Sequence, residues 1–169
     1  EILKPEDLKK AVFCAADYNV PQIRNRIIII GIRKDSNHKL SDFYESLCSQ
    51  KSKANRLTVK DAIGNLPNFK PLPESIKNGR NNVSHKLVGS LKIPQHEARY
   101  HNQRDIKVFR DWIAKDMNHA STKERLEFYT SITGIKSNHI KYRSLEWDKQ
   151  SPTTVSHLHK DGLMSIHHH

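Results

Sequence analysis

The sequence predicts an α+β protein, on three observations. The stretch "RIIIIGIR", residues 26–33, is an uninterrupted β-branched apolar run, the pattern of a strand buried on both faces in a parallel or mixed sheet. Two later stretches, 104–117 and 121–134, carry helical periodicity with cap signals. Between them and the strand, Pro67, Pro71, Pro73, Gly79, Gly89 and Pro94 break up residues 67–95 and predict an irregular region with "NGRNN" at its middle.

The elements follow in order. Pro5 to about Ala15 reads as a short helix with Pro5 in its first turn and Lys9 and Lys10 on a wet face. After the isoleucine strand, "SNHKLSDFYESL" places Leu40, Phe43, Tyr44 and Leu47 on one helical face. Thr58 and Asp61 are spaced as a capping box for a short helix that stops at Gly64 and Pro67. The helix of 104–117 sets Ile106, Phe109, Trp112 and Ile113 on its apolar side, so Trp112 is expected in the core. In the next helix Ser121 and Glu124 form a capping box and Gly134 supplies the stop. "KYRSLEW" and "PTTVSHLH" then read as extended segments about a "WDKQSP" turn, with Trp147 packed.

Charge narrows the class of partner. The 169 residues carry 29 Lys and Arg against 18 Asp and Glu, a formal net charge of +11. Such an excess favours a polyanion, DNA or RNA before others; plain solubility is the bland reading. Cys14 and Cys48 form no CxxC pair, which fits a reducing, intracellular setting, and both read as small packed hydrophobes. No signal peptide and no apolar run of transmembrane length is present, so no membrane partner is expected. "EILKPEDLKK" lacks an initiator methionine and "HHH" resembles a tag, so the chain reads as a section of a longer one, with His167 to His169 left out of any metal argument.

Several chemistries are excluded by absence. The six glycines are isolated, so there is neither a dinucleotide fingerprint nor a P-loop. There is no G-x-S-x-G elbow and no H-E-x-x-H. His157 and His159 share a strand face but lack a third ligand, and no metal is expected. His96 and His101 read as polar surface.

One stretch is more pointed. In "VPQIRNRI", alternation puts Gln22, Arg24 and Arg26 on one face, directly ahead of the isoleucines. Pro21 stiffens the entry. Forked, permanently charged guanidinium groups on rigid backbone suit phosphate oxygens and base carbonyls; solvated charge at a sheet end is the competing reading.

These residues resemble the Gln-x-Arg-x-Arg motif of the DNA cytosine-5 methyltransferases. Ala16, Asp17, Tyr18, Asn19, Val20, Pro21, Gln22, Arg24 and Arg26 follow the family form A-D-Y-G-V-P-Q-x-R-x-R, and only Asn19 replaces the usual glycine. Asparagine tolerates left-handed backbone, so the turn is expected to survive. "LTVKDAIGNLPNF" is similar to the family's T-V-x-D-A-I-G-D-L-P segment. "YRSLEWDKQSPTTVSHLHKDG" is similar to the R-x-L-x-W-D-x-P-S-P-T-x-T stretch and the K-D-G after it.

The resemblance implies a target cytosine flipped out of duplex DNA and methylated at C5 from S-adenosylmethionine. Arg24 and Arg26 would line the cytosine pocket, and Gln22 would support its geometry. It also implies that residues 1–35 are a strand and helix remnant of the Rossmann-like methyltransferase sheet. Residues 36–166 would be an irregular mixed target-recognition region, followed by the tag at 167–169. Candidate DNA-binding residues are Arg80, Lys86, Arg99, Arg104, Lys141 and Arg143, with Lys92, Lys136 and neighbouring Asn and Gln side chains available. The family's Thr followed by Leu, Ile or Val fits Thr153 by straight register and Thr154-Val155 by pattern.

The departures matter as well. No proline precedes a cysteine, no Glu-Asn-Val occurs, and the glycine-rich donor motif is not in the sequence. The expectation is therefore a fragment inactive alone, with S-adenosylmethionine held only by the full-length enzyme. A non-catalytic DNA-binding module from a degenerate methyltransferase is the alternative; Pro-Cys and Glu-Asn-Val in the parent gene would decide. A protein-interaction domain with incidental charge is a third, marked by absence of DNA affinity. The family setting implies a cytoplasmic, nucleoid-associated bacterial or phage protein with a cognate restriction endonuclease. An isoleucine strand detached from its sheet would also invite a homodimer through its edge.

Overall fold

The computed structural model describes residues 9–52 and 56–153. Two small antiparallel sheets and four α-helices make it α+β. The chain divides into two compact units, one drawn from residues up to Gly64 together with the segment from Glu146, the other from Asn65–Leu145.

In the first unit, β1 (Val12–Cys14) pairs antiparallel with β2 (Asn25–Ile27), Phe13 opposite Arg26. A 3-10 helix, Ala15–Tyr18, ends at Asn19, whose φ of 59° and ψ of 25° are left-handed, as expected for the residue standing at the glycine position. Helix α1 (Leu40–Ser49) follows, then α2 (Val59–Ile63). Ala11, Phe13, Ala16 and Val59 are buried. The Phe13 ring stacks on Tyr44 at 6.1 Å, and the Tyr44 hydroxyl donates to the Ile28 carbonyl at 2.8 Å. Tyr18 does the same for the Leu47 carbonyl at 3.1 Å, so two tyrosines tie α1 to the strand region.

Three expectations fail here. Within the proposed Pro5–Ala15 helix, Pro5 to Leu8 lie outside the described residues, and Val12–Cys14 form a strand instead. A β-branched and an aromatic side chain suit that pairing better than a helix. The isoleucine run is not buried on both faces. Its strand ends at Ile27, with one further ladder bond from the Ile28 N–H to Ala11; Ile27 and Ile29 are 54% and 70% exposed. Its partner β1 has only three residues, and no other described strand lies beside Ile28–Arg33 to cover the second face. Cys48, expected to be packed, is exposed at the end of α1, whose residues are nowhere fully buried.

The second unit begins with a hairpin where an irregular stretch was expected. Strand β3 (Phe69–Asn78) pairs antiparallel with β4 (Asn81–Leu87). Pro73 is tolerated because the register shifts between Pro71 and Ile76, where ladder donors are not required; Pro71, opposite His85, is the last paired position before that shift. Gly79, at φ 61°, occupies the first central position of the two-residue turn, and Arg80 keeps negative φ, the II′ arrangement. Helices α3 (Gln103–Ala114) and α4 (Thr122–Thr133) follow, capped by Asn102 and by the Ser121–Glu124 box, with left-handed Gly134 closing α4.

Val108, Trp112, Met117, Phe128 and Tyr142 form the core of this unit. Trp112 meets Phe128 and Tyr142 edge-on at 5.6 and 5.8 Å. Its indole Nε1–H donates to Asn118 Oδ1 at 3.0 Å; Asn118 also accepts from the Ser144 N–H and donates to the Ser144 carbonyl. His96 and His101 are not simple surface. His96 Nε2 contacts the Pro67 carbonyl at 2.8 Å, and half-buried His101 lies edge-on to Phe109 and to His85. The apolar ring of Phe109 reaches the irregular segment that leads into α3 and draws His101 inward.

Candidate nucleic-acid interface

In the first unit, the three stretches that share a sequence resemblance come together. Gln22 forms a parallel bridge with Ser151: the Ile23 N–H donates to the Ser151 carbonyl at 2.8 Å, and the Ser151 N–H to the Pro21 carbonyl at 2.9 Å. Thr153 adds a hydroxyl bond to the Ile23 carbonyl at 2.8 Å. From the other side, the N–H groups of Val59 and Lys60 at the start of α2 donate to the carbonyls of Lys149 and Trp147, and Gln150 Nε2 donates to the Leu57 carbonyl. Asp17 is paired with Arg56 and accepts the Ser52 N–H through its carbonyl.

This scaffold fixes the backbone on both sides of Arg24. The Gln22 N–H closes a tight turn to the Val20 carbonyl over Pro21, and the Ala15 N–H donates to the Arg24 carbonyl at 3.0 Å. Arg24 and Arg26 lie two apart on extended backbone, hence on one face. Arg24 is half-buried, and its guanidinium has no hydrogen-bond or ion-pair partner among the described residues. Arg26 is exposed and uses one Nη to reach the Asn25 carbonyl at 2.7 Å. The face therefore offers cationic donors that the fold leaves open to a ligand.

The remaining candidates are spread over the second unit. Arg80 lies in the hairpin turn and Lys86 on β4; both are exposed. Arg99 is exposed in the segment before α3. Arg104, in the first turn of α3, pairs with Asp105 at 3.1 Å. Lys141 and Arg143 point outward on either side of buried Tyr142. The geometry thus groups Arg24, Arg26 and Gln22 with Thr153, and Arg80 with Lys86. Thr154 lies outside the described residues.

Lys70 was overlooked in the sequence: it stands directly opposite Lys86 across the hairpin. Lys77 was overlooked too, near the tip. The signal was Gly79 at the first central position of a two-residue turn, Gly79-Arg80, flanked by Ile76 and Val83 and obscured by Pro71 and Pro73. No group of three His, Cys, Asp or Glu side chains suited to a metal ion occurs among the described residues. Nor is any helix among them long and apolar enough to cross a membrane.

The chain belongs to the C-5 cytosine-specific DNA methylase family, whose model matches residues 7–163. It is 27% identical to the Type II methyltransferase M.Bpa9945I of Bacillus paralicheniformis over 90% of this chain and 37% of that protein. It is 39% identical to the Type II methyltransferase M.MthTI of Methanothermobacter thermautotrophicus over 51% of this chain and 22% of that protein. With M1.HgaI of Avibacterium volantium the identity is 29% over 89% and 34% respectively. The chain thus spans about a third of the length of the relatives that it matches over most of its own. No solved structure matches it.

Proposed function

We propose that this chain is the target-recognition portion of a DNA (cytosine-5-)-methyltransferase. The whole enzyme would transfer a methyl group from S-adenosylmethionine to C5 of a cytosine flipped from duplex DNA. The observation that carries the reading is the joining of Pro21–Ile23 to Ser151 and Thr153 beside Arg24 and Arg26, whose guanidinium donors are uncommitted apart from one Arg26 Nη. Flipping costs a few kcal/mol of unstacking, and cations on rigid backbone compensate by gripping the extruded nucleotide. Gln22 and Thr153 act by holding that backbone.

The described residues do not fit the methyl donor. The sequence has no G-x-G loop, and no Pro-Cys supplies a nucleophile. Accordingly the chain alone is proposed to bind DNA without transferring methyl groups. Residues 1–35 would belong to the catalytic sheet and 36–166 to recognition, with Arg80, Lys86, Arg99, Arg104, Lys141 and Arg143 on the DNA. The Type II names of the relatives support a restriction–modification setting, and a partner endonuclease is proposed on the family setting alone. A non-catalytic module from a degenerate methyltransferase is the second reading; Pro-Cys and Glu-Asn-Val present or absent in the parent gene would decide.

Fluorescence anisotropy with a labelled duplex tests the proposal. The chain should bind at low salt and lose affinity steeply as salt rises. The Arg24→Ala/Arg26→Ala variant should bind the paired duplex about as well, because its cations serve a flipped base. In the parent enzyme the same substitutions should abolish most methyl transfer. No duplex binding at any salt would overturn the reading.

A further inference from the structure

The hairpin beyond the register shift is mostly exposed, with Val83 alone half-buried. Ile76, Lys77 and Asn78 on β3, and Asn81 and Asn82 on β4, are all solvent-exposed, with Ile76 at 57%. A two-stranded ribbon that buries neither face is marginal in water, so packing within this unit does not explain its presence. Nor do its side chains satisfy one another. Those of Lys77, Asn78, Arg80, Asn81 and Asn82 have no hydrogen-bond partner among the described residues. No carboxylate occurs in residues 76–83.

We infer that this ribbon enters the major groove of duplex DNA, with Arg80 and the asparagines at the tip reading base edges and the Lys70–Lys86 pair bound to the flanking phosphates. The inference rests on the DNA-recognition reading above and assigns it a reading element.

Three geometric facts support it. First, the arm has the right size. Its last rungs are Ile76–Val83, Lys77–Asn82 and Asn78–Asn81; two rises of about 3.4 Å span roughly 7 Å, and one more into the Gly79–Arg80 turn carries the tip to about 10 Å. The major groove is about 8.5 Å deep and 12 Å wide, and it admits a two-stranded ribbon. The tip therefore reaches the base edges while the base of the hairpin stays at the backbone.

Second, the chemistry changes along the arm in the order the groove requires. At the tip stand the residue types that bind bases in two-pronged fashion, arginine on guanine and asparagine on adenine, with Ile76 as an apolar contact for a thymine methyl group. Further back, on the other side of the register shift, come two lysines. Third, those lysines are direct cross-strand partners. Like charges opposite each other destabilise a sheet, and a phosphate between them removes the penalty. A-form RNA, with its deep and narrow major groove, does not admit the ribbon, so the partner is DNA.

The test is selection of duplexes from a pool with a randomised central stretch by the whole 169-residue chain, followed by anisotropy on the selected sequence. Three variants are compared, each checked by circular dichroism for an unchanged fold. Arg80→Lys keeps the charge but loses the two-pronged contact; it should relax selection at one base position by about 5- to 100-fold and leave the salt slope alone. Asn81→Ala/Asn82→Ala should relax a neighbouring position. Lys70→Gln/Lys86→Gln should keep the selected sequence, bind all duplexes more weakly, and lower the salt slope by about 2.

Competing RNA duplex should not displace the DNA. If wild type selects a sequence and the tip variants select it equally sharply, the hairpin is not the reader and this inference falls, while DNA recognition stands. Equal competition by RNA duplex, or binding without sequence preference, also overturns it. Absence of all duplex binding removes both readings.

Discussion

Ser151 is bridged in parallel to Gln22, so that two segments from opposite ends of the described chain share one short stretch of backbone hydrogen bonds. The bridge bears on the proposed function because Arg24 lies two residues from Gln22. Ser151→Pro removes the N–H that reaches the Pro21 carbonyl and leaves that carbonyl without its protein donor. A loss of about 1–3 kcal/mol is expected, measured by urea denaturation. A variant as stable as wild type would show that the bridge does not hold this backbone.

Asn118 is the corresponding tie in the second unit. Asn118→Ala removes the acceptor of the buried Trp112 indole and both bonds to Ser144. The expected cost is about 1–3 kcal/mol, because a buried N–H without a partner retains its full desolvation penalty. Asn118→Asp keeps the acceptor and should recover part of the loss. Thermal melts of the three proteins check both outcomes.

Burial holds the His85 and His101 imidazoles below their ordinary value of 6.5. For His101 burial comes first; neighbouring His85 and Arg99 act in the same direction, and Asp105 opposes them. A depressed histidine pKa means that the unfolded chain binds more protons than the folded one. Stability is therefore full above about 6.5 and falls as pH drops from there through the folded value. The melting temperature should decline between pH 7 and pH 5, and His101→Gln should flatten that decline.

The two capping carboxylates act in a lower window. Backbone and side-chain hydrogen bonds from Thr58 lower Asp61, and bonds from Ser121 lower Glu124. Their contribution is present above the ordinary carboxylate range and is lost as pH falls through the depressed folded values. Ser121→Ala should cost about 1 kcal/mol near neutral pH. Its deficit in melting temperature against wild type should shrink in strong acid, where Glu124 is protonated.

Ile29 tests the corrected fold. At 70% exposed, it should accept Ile29→Lys within about 0.5 kcal/mol. A loss of several kcal/mol on chemical denaturation would instead mean that the isoleucine run is buried in the isolated chain.

Local information was legible in the sequence alone. The Thr58–Asp61 and Ser121–Glu124 boxes, the Gly134 stop, the left-handed Asn19 and the core position of Trp112 all depend on groups a few residues apart or on helical period, and all stand in the structure. The motif about Gln22, Arg24 and Arg26 was legible too, because the chemistry of a site is written in residue types. Tertiary structure decided what depends on distant partners. Apolar composition cannot say whether a run such as Ile27–Ile30 finds a second strand to cover it, and among the described residues it does not. Proline content cannot say whether a register shift will absorb Pro73 into a hairpin, and here it does. The meeting of Thr153 with Ile23 is likewise a matter of long-range pairing, which no local pattern encodes.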